Sequence, residues 1–296
     1  MVKIAVIHEA PQPTLSSRQL ILALINEGVD AYYLRISKIH GFVTNSGFEL
    51  RYGSNVKLEL DGAFVRNLGF ILSTEQLLKR VSILRQMELN NVTLVNPVEG
   101  MLLARDKYMS VLTLKKHGLP VPDTAVVEDV FTATQLVKEW GEVVIKPLVG
   151  SMGFGSIKTS DPDIAFRVAK TLLNLGQPIY IQKYVEKPGR DIRVFVVGDD
   201  VLGGMYRISP AHSWKTNVAQ GAKVKALKVN EELRELAIKA TKALGLHYSG
   251  VDIGEGKGGY VIFEVNASPL WAGFMRATGI NPAPHLVKHI LSLVKR

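Results

Sequence analysis

Hydrophobic positions follow two alternating rhythms over the first hundred residues. Lys3–Ile7 is a short apolar run typical of a buried first strand. Leu15–Glu27 then sets Leu20, Ile21 and Leu24 on one helical face, and Gly28 ends it. Ala31–Ile36 and Ala63–Arg66 read as strands, Thr74–Leu89 as a helix, and Val92–Val95 as a strand stopped by Pro97. Strands alternating with helices predict a parallel sheet with helices on its faces. A second block opens near Glu99. It holds a helix Lys107–His117 closed by Gly118, a strand Thr124–Val127, a helix Ala133–Trp140, a strand Val143–Ile145, a glycine loop and a helix Asp163–Leu175. From Ile179 onward strands dominate: Ile192–Val197, Leu202–Ile208 and a hairpin Gly250–Asn266, with helices Glu231–Leu246 and His285–Val294. The expected fold class is α/β, with α+β character in the later lobes. Three packed lobes are expected, at 1–98, 99–181 and 182–296.

Composition narrows the chemistry. The 296 residues are 47% hydrophobic, enough for one large core or two to three smaller ones. The chain has no cysteine, which excludes a disulfide framework, a thiolate zinc site and a cysteine nucleophile. The apolar run at the N-terminus is too short for a signal peptide, and no stretch approaches the ~18 apolar residues of a membrane span. A cytoplasmic protein with no membrane partner is expected. The net charge of +9 fits either simple solubility or an acidic ligand such as nucleotide, glutamate or phosphate. The basic residues are scattered, with no aromatic-basic RNA motif, so no nucleic-acid partner is expected.

The clearest chemistry lies in SGVDIGEGKGGYVIFEVNAS. Two β-like runs flank a glycine-rich turn at Glu255–Gly259. A hairpin centred on Gly258 sets Asp252 opposite Glu264 and Gly250 opposite Asn266. Strand side chains alternate, so Asp252, Glu264 and Asn266 share one face, while Val251, Ile253, Phe263 and Val265 face the core. Two opposed carboxylates destabilise an ordinary sheet. A divalent cation reverses the sign, because Mg2+ or Mn2+ prefers oxygen ligands, and Asn266 adds a neutral one. The plain alternative is a solvated polar face relieved by lysines, yet no lysine or arginine shares that face within the hairpin. His285 and His289, four apart on the last helix, read as surface histidines.

Other candidates are weaker singly. VVIKPLVGSMGFGSIK sets Lys146 at the end of a β-rich run, with Gly150, Gly153 and Gly155 beyond it. Glycines let a backbone approach phosphate closely, so a nucleotide lid fits; an ordinary glycine-rich turn fits too. The loop is not a Walker A motif, because its lysine precedes the glycines. The first strand–helix turn has no glycine, which argues against a dinucleotide-dependent oxidoreductase. Lys107, alone, reads as a solvated lysine at a helix start. Asp191 and Arg193 share a strand face, with Arg207 in the next strand. A guanidinium fork suits carboxylate or phosphate, and a structural Asp–Arg pair is the plain alternative.

Six ordered blocks resemble a known family. DKYMSVLTLKKHGLPVP, VIKPLVGSMGFGS, YIQKYVEKPGRDIRVFVVGD, MYRISPAHSWKTNVAQGA, GVDI and FEVNASP together are similar to ATP-grasp enzymes of the RimK type. The resemblance implies a three-lobed ATP-grasp fold with an N-terminal parallel-sheet domain, and ATP held between the central and C-terminal lobes. It implies that Lys107 and Lys146 contact the ATP phosphates, and that the Gly150–Ser156 loop, with Ser151, Gly153 and Gly155, closes over them. Gln182, Lys183 and Tyr184 would form a hinge against adenine, and Asp191 would sit by the nucleoside. Lys215 and Asn217 would line the phosphate and substrate side. Asp252, Glu264 and Asn266 would hold two Mg2+ or Mn2+ ions. Arg193 would face the reacting phosphoryl group, and Arg207 the substrate carboxylate or acyl phosphate. An inactive nucleotide-binding module would have lost one of these groups, and all are present.

The implied activity is a carboxylate–amine ligase. ATP activates a carboxylate as an acyl phosphate, and the amine of L-glutamate displaces phosphate. MYRISP, WKTN, AQGA and NASP are most similar to archaeal α-glutamate ligases that extend pterin or deazaflavin coenzymes, so the expected acceptor is a small coenzyme more than a protein. EKPGRDIRVFVVG and WKTN also resemble LysX, the amino-group carrier ligase. Lys183 stands where the hinge commonly has Glu. Leu270 follows NASP where ribosomal-protein modifiers usually have glycine, and the bulk of Trp271 beside the acceptor site argues against a ribosomal-protein tail. The family further implies a homo-oligomer.

Overall fold

A computed structural model describes residues 1–69, 72–150, 155–211, 213–217 and 221–294. The N-terminal region runs β1 (Lys3–His8), α1 (Leu15–Asn26), β2 (Asp30–Arg35), β3 (Ile39–Thr44), β4 (Gly47–Tyr52), β5 (Val56–Lys57), β6 (Gly62–Val65), α2 (Thr74–Leu89) and β7 (Thr93–Val95). Four of these strands form the expected parallel sheet, in the order β2-β1-β6-β7. The apolar run of β1 is explained by burial on both sides. Ile4 and Val6 enter one core with Leu20 and Leu24 of α1, while Ala5 and Ile7 enter another with Ile83, Leu84 and Met87 of α2. The antiparallel sheet β3-β4-β5 is an addition with no counterpart in the hydrophobic pattern.

Next come α3 (Val98–Arg105), α4 (Lys107–Lys116), β8 (Thr124–Val127), α5 (Val130–Trp140), β9 (Val143–Pro147), β10 (Ile157–Thr159), α6 (Pro162–Asn174) and β11 (Ile179–Lys183). Strands β10-β9-β11-β8 form an antiparallel sheet whose core is shared with α5 and α6. Asp106 breaks the chain between α3 and α4. Its carboxylate accepts from the N–H groups of Tyr108 and Met109 at 2.9 and 3.1 Å, which puts Lys107 in the first turn of α4.

The last region contains β12 (Arg190–Val197), β13 (Asp200–Ile208), β14 (Lys223–Leu227), α7 (Glu231–Ala243), β15 (Tyr248–Gly256), β16 (Gly259–Asn266), α8 (Ala272–Thr278) and α9 (Pro282–Val294). The five-stranded antiparallel sheet is ordered β14-β13-β12-β15-β16. Its two faces differ. Ile192, Val194, Val196, Val251 and Ile253 pack against α7. On the other face Phe195, Val197 and Tyr248 join the core of β1, α1 and α9, while Asp191, Arg193 and Asp252 continue the same strands as a polar stretch. One sheet face therefore docks the N-terminal domain at one end and lines a cleft at the other. No described helix is long and apolar enough to cross a membrane.

Two buried polar side chains stitch that docking together. Asn96, after β7, accepts from the N–H groups of His247 and Tyr248 at 2.7 and 3.0 Å, and donates to the carbonyls of Tyr248 and Ala267 at 2.9 and 2.6 Å. Arg66 donates to the Tyr248 hydroxyl at 2.7 Å and the Pro269 carbonyl at 2.8 Å, with its guanidinium 4.5 Å from the Trp271 ring centre. Asn96→Ala leaves buried donors and acceptors unpaired, so it is expected to lower stability by about 3 kcal/mol. The urea unfolding midpoint checks this; a wild-type midpoint would refute it.

Candidate active site

The polar stretch of the large sheet is built by strand register. Asp191 of β12 lies opposite Arg207 of β13, Arg193 of β12 opposite Asp252 of β15, and Asp252 opposite Glu264 of β16. Directly opposed residues point to the same face, so the row Arg207, Asp191/Arg193, Asp252, Glu264 crosses four strands. Arg207 grips Asp191 with both prongs at 2.7 Å and reaches Asp252 at 3.1 Å. Arg193 grips Asp252 at 2.6 and 2.7 Å. The Thr216 hydroxyl also donates to Asp191. Burial pushes the Asp252 carboxyl up, but Arg193 and Arg207 outweigh it and hold it below the usual carboxylate range. Burial likewise works against the charge of Arg207, and the two aspartates reverse the sign and raise it. The relief for Asp252 thus comes from neighbouring strands, where the hairpin alone could not reveal it.

The hairpin has the expected register at Gly250–Asn266 and Asp252–Glu264, then shifts at a bulge, because Ile253 pairs with Ile262. Phe263 is the extra residue. It was expected on the core side with Val251, Ile253 and Val265; the bulge instead gives that place to Ile262 and turns Phe263 into the cleft. Gly254 makes this possible, since a Cβ there would collide with the Phe263 ring.

Facing the acids are two lysines from the preceding lobe. Lys146, on β9, donates to Gln182 Oε1 at 2.8 Å. Burial depresses its ammonium to about 8, with Glu264 and Asp252 pulling the other way and Lys107 adding to the depression. Lys107 donates to the carbonyls of Leu148 and Gly150 at 3.3 and 2.8 Å, tying the start of α4 to the start of the glycine loop. Burial lowers it as well, opposed by Glu264. Gly150 lies in the cleft lining and Gly155 has φ +74°, a left-handed conformation that favours glycine. Ser151 and Gly153 lie outside the described residues.

Beside Lys146, Gln182 is buried, and its amide N–H groups reach Thr124 and the Tyr180 hydroxyl at 3.0 and 3.2 Å. The backbone N–H groups of Lys183 and Tyr184 donate to Asp123 and Glu142 within the lobe, so neither is left for a ligand. Tyr184 meets Trp214 edge-on at 6.5 Å. Lys215 and Asn217 line the cleft between Trp214 and the Asp191–Arg207 pair. Reading the motifs missed Val185, Lys187, Trp214 and Thr216 as cleft-lining residues. Trp214 and Thr216 lie inside the quoted SWKTN run, and Lys187 inside EKPGRD, but a single sequence does not say which member of a run points inward.

Asp252, Glu264 and Asn266 offer hard oxygens side by side, with Asn266 Nδ2 3.4 Å from Asp252. No described residue hydrogen-bonds or ion-pairs with the Glu264 carboxylate, so it is open to a cation. Asp252 has both oxygens engaged by guanidinium N–H groups and retains only part of its lone-pair capacity. No group of three His, Cys, Asp or Glu residues able to hold a metal occurs among the described residues. The residues fit Mg2+ if further oxygens come from a bound ligand, the usual manner for this ion beside phosphates.

Residues 104–290 match the model of the RimK-like ATP-grasp domain. The chain belongs to the RimK-like ATP-grasp family. Relatives in this family include the tetrahydromethanopterin:α-L-glutamate ligase of Methanocaldococcus jannaschii, 34% identical over 85% of this chain and 86% of that protein. Another is the α-aminoadipate–LysW ligase LysX of Saccharolobus solfataricus, 35% identical over 68% of this chain and 75% of that protein. The complex of the ATP-grasp ligase PsnB with a phosphomimetic minimal precursor, Mg and ADP superposes with TM-score 0.75. It covers 100% of this chain and 99% of that one at 18% identity, a likeness of fold.

Two further sequence readings change. Trp271 is not part of the cleft lining; it is buried in the core with Phe195 and Phe274, its indole N–H donating to Gln19 at 2.6 Å, while Leu270 is exposed. Of the two histidines of α9, His285 is exposed, but His289 is half-buried 3.4 Å from His247. Arg207 is buried and already doubly paired with Asp191 and Asp252, and it also lines the cleft. Arg207→Met leaves buried Asp191 without its guanidinium partner, and a loss of about 3–5 kcal/mol is expected. Denaturant unfolding at neutral pH checks it; wild-type stability would show that the network is not structural.

Proposed function

We propose that the protein is an ATP-dependent ligase that joins the amine of L-glutamate to a carboxylate of a pterin-type coenzyme. The observation that carries the reading is that Lys107, Lys146 and Gly150 line one cleft with Asp252 and Glu264, beside the Arg193–Asp252 pair. The match to tetrahydromethanopterin:α-L-glutamate ligases extends over most of the chain, whereas the LysX match covers less of it. That favours a coenzyme acceptor over a carrier protein.

The chemistry needs charge neutralisation and positioning more than a protein nucleophile. Lys107 and Lys146 neutralise the phosphate chain, with Gly150 beside them in the cleft lining. The apolar slot made by Val144, Val185, Phe263 and Tyr184, with Gln182 and Lys183 at its edge, takes the base. Lys215, Asn217 and Asp191 hold the sugar–phosphate side. Asp252, Glu264 and Asn266 would hold one or two Mg2+ ions, whose charge lowers the repulsion between the attacking carboxylate and the phosphates. The acceptor carboxylate attacks the γ-phosphorus, ADP leaves, and an acyl phosphate forms. Arg193 faces the charge on the transferred group. The glutamate amine then attacks the acyl carbon, phosphate leaves and the amine loses a proton.

Wild-type protein with ATP, Mg2+, L-glutamate and tetrahydromethanopterin is expected to release phosphate and add a glutamyl residue to the coenzyme. In Glu264→Ala, turnover should fall about 10³-fold with the fold intact by circular dichroism. Wild-type turnover in that variant would sink the role given to Glu264.

A further inference from the structure

Arg105 is a cation without an anion. It ends α3, two residues before Lys107, and is half-buried. Its Nε is fully buried with no hydrogen-bond partner. No described carboxylate pairs with it, and the neighbouring Asp106 carboxylate caps α4 instead. The other buried or half-buried arginines among the described residues all have acceptors. Arg66 holds Pro269, Arg80 holds Leu68, Arg190 holds Glu255, Arg193 holds Asp252 and Arg207 holds Asp191. Arg35, Arg51 and Arg234 pair with Glu9, Glu49 and Asp200.

A positive side chain at a helix C-terminus is favoured by the dipole, which is the plain account of Arg105. It does not explain the buried Nε. A guanidinium stays protonated, so burying part of it unpaired costs stability that an anion would return. Burial does depress Arg105 without an opposing acid, and Arg105 in turn is one of the charges felt by Lys107. Both α3 and α4 touch β16, the strand of Glu264. The cleft lining includes Lys107 but stops short of Arg105. An anion at Arg105 would therefore lie outside the lined cleft, close enough for its charge to reach Lys107.

We infer that Arg105 receives a carboxylate of a substrate, either one of glutamate or one of the acceptor, and sets its position against the reacting phosphoryl group. The inference rests on the ligase reading above and names a specificity residue within it. The planar fork of Arg105 matches a carboxylate in two parallel hydrogen bonds, which an ammonium cannot copy.

The test is steady-state kinetics of full-length Arg105→Met and Arg105→Lys with ATP, Mg2+, L-glutamate and tetrahydromethanopterin, alongside their melting temperatures. In Arg105→Met the KM of one carboxylate substrate should rise roughly 10- to 100-fold, with the KM of ATP within about twofold. Arg105→Lys should recover part of that loss. A rise for glutamate alone assigns the amino acid; a rise for the coenzyme alone assigns the acceptor. The melting temperature should hold or increase, because an unpaired charge has been removed. Unchanged KM for both carboxylate substrates overturns the assignment, as does an equal rise in the KM of ATP. A wild type that releases no phosphate overturns the ligase reading itself, and this inference with it.

Discussion

Two aspartates and two arginines on one sheet face decide where the rest of the structure must lie. Asp191, Arg207, Asp252 and Arg193 form a buried chain of ion pairs across β12, β13 and β15. Burying four charges is costly, and only near-ideal forks repay the desolvation. The forks close only if three strands keep one register. A one-residue slip of β15 would turn Asp252 toward Val194 and Leu233 and turn Val251 into the cleft. The network therefore contributes little net stability for its charge, but it excludes alternative pairings of the sheet.

From that constraint the remaining features follow in order. Because the arginines neutralise Asp191 and Asp252, the uncompensated charge of the face is concentrated on Glu264. Lys146 and Lys107 come from another lobe and line the same cleft, where the charge of Glu264 opposes the burial that depresses both ammoniums. The apolar end of the same strands, from Phe195 to Tyr248, fastens the N-terminal parallel sheet through Asn96 and Arg66. The switch in strand order between β1 and β6 lies beside this junction, where open parallel sheets present their crevice. Cleft and crevice are thus held against each other by packing and buried hydrogen bonds together.

Much of this was legible in the sequence, for physical reasons that differ by element. The helices and parallel strands were readable because each buries a periodic apolar face. The Asp252–Glu264 pairing was readable from a turn counted about Gly258, but the turn closes on Gly256 and Gly259, and the extra residue Phe263 makes up the difference. The bulge at Phe263 was not, since it depends on the space above Gly254. The antiparallel sheet β3-β4-β5 was not, since Val43 and Phe48 stand exposed and the strands bury no continuous face. Trp271 looked like a substrate-side residue because its partners, Gln19 and Arg66, are some two hundred residues away in the chain. The pairing of Arg193 with Asp252 was hidden for the same reason: strand order is a tertiary fact. Arg105 carried no local signal at all; only its missing partner marks it.

The central claim is that this face transfers a phosphoryl group to a substrate carboxylate before the amide forms. Oxygen tracing tests it most directly. With an acceptor whose carboxylate is enriched in 18O, one labelled oxygen per turnover should appear in the inorganic phosphate, with none in ADP. Phosphate free of label, or label found in AMP, would contradict the account.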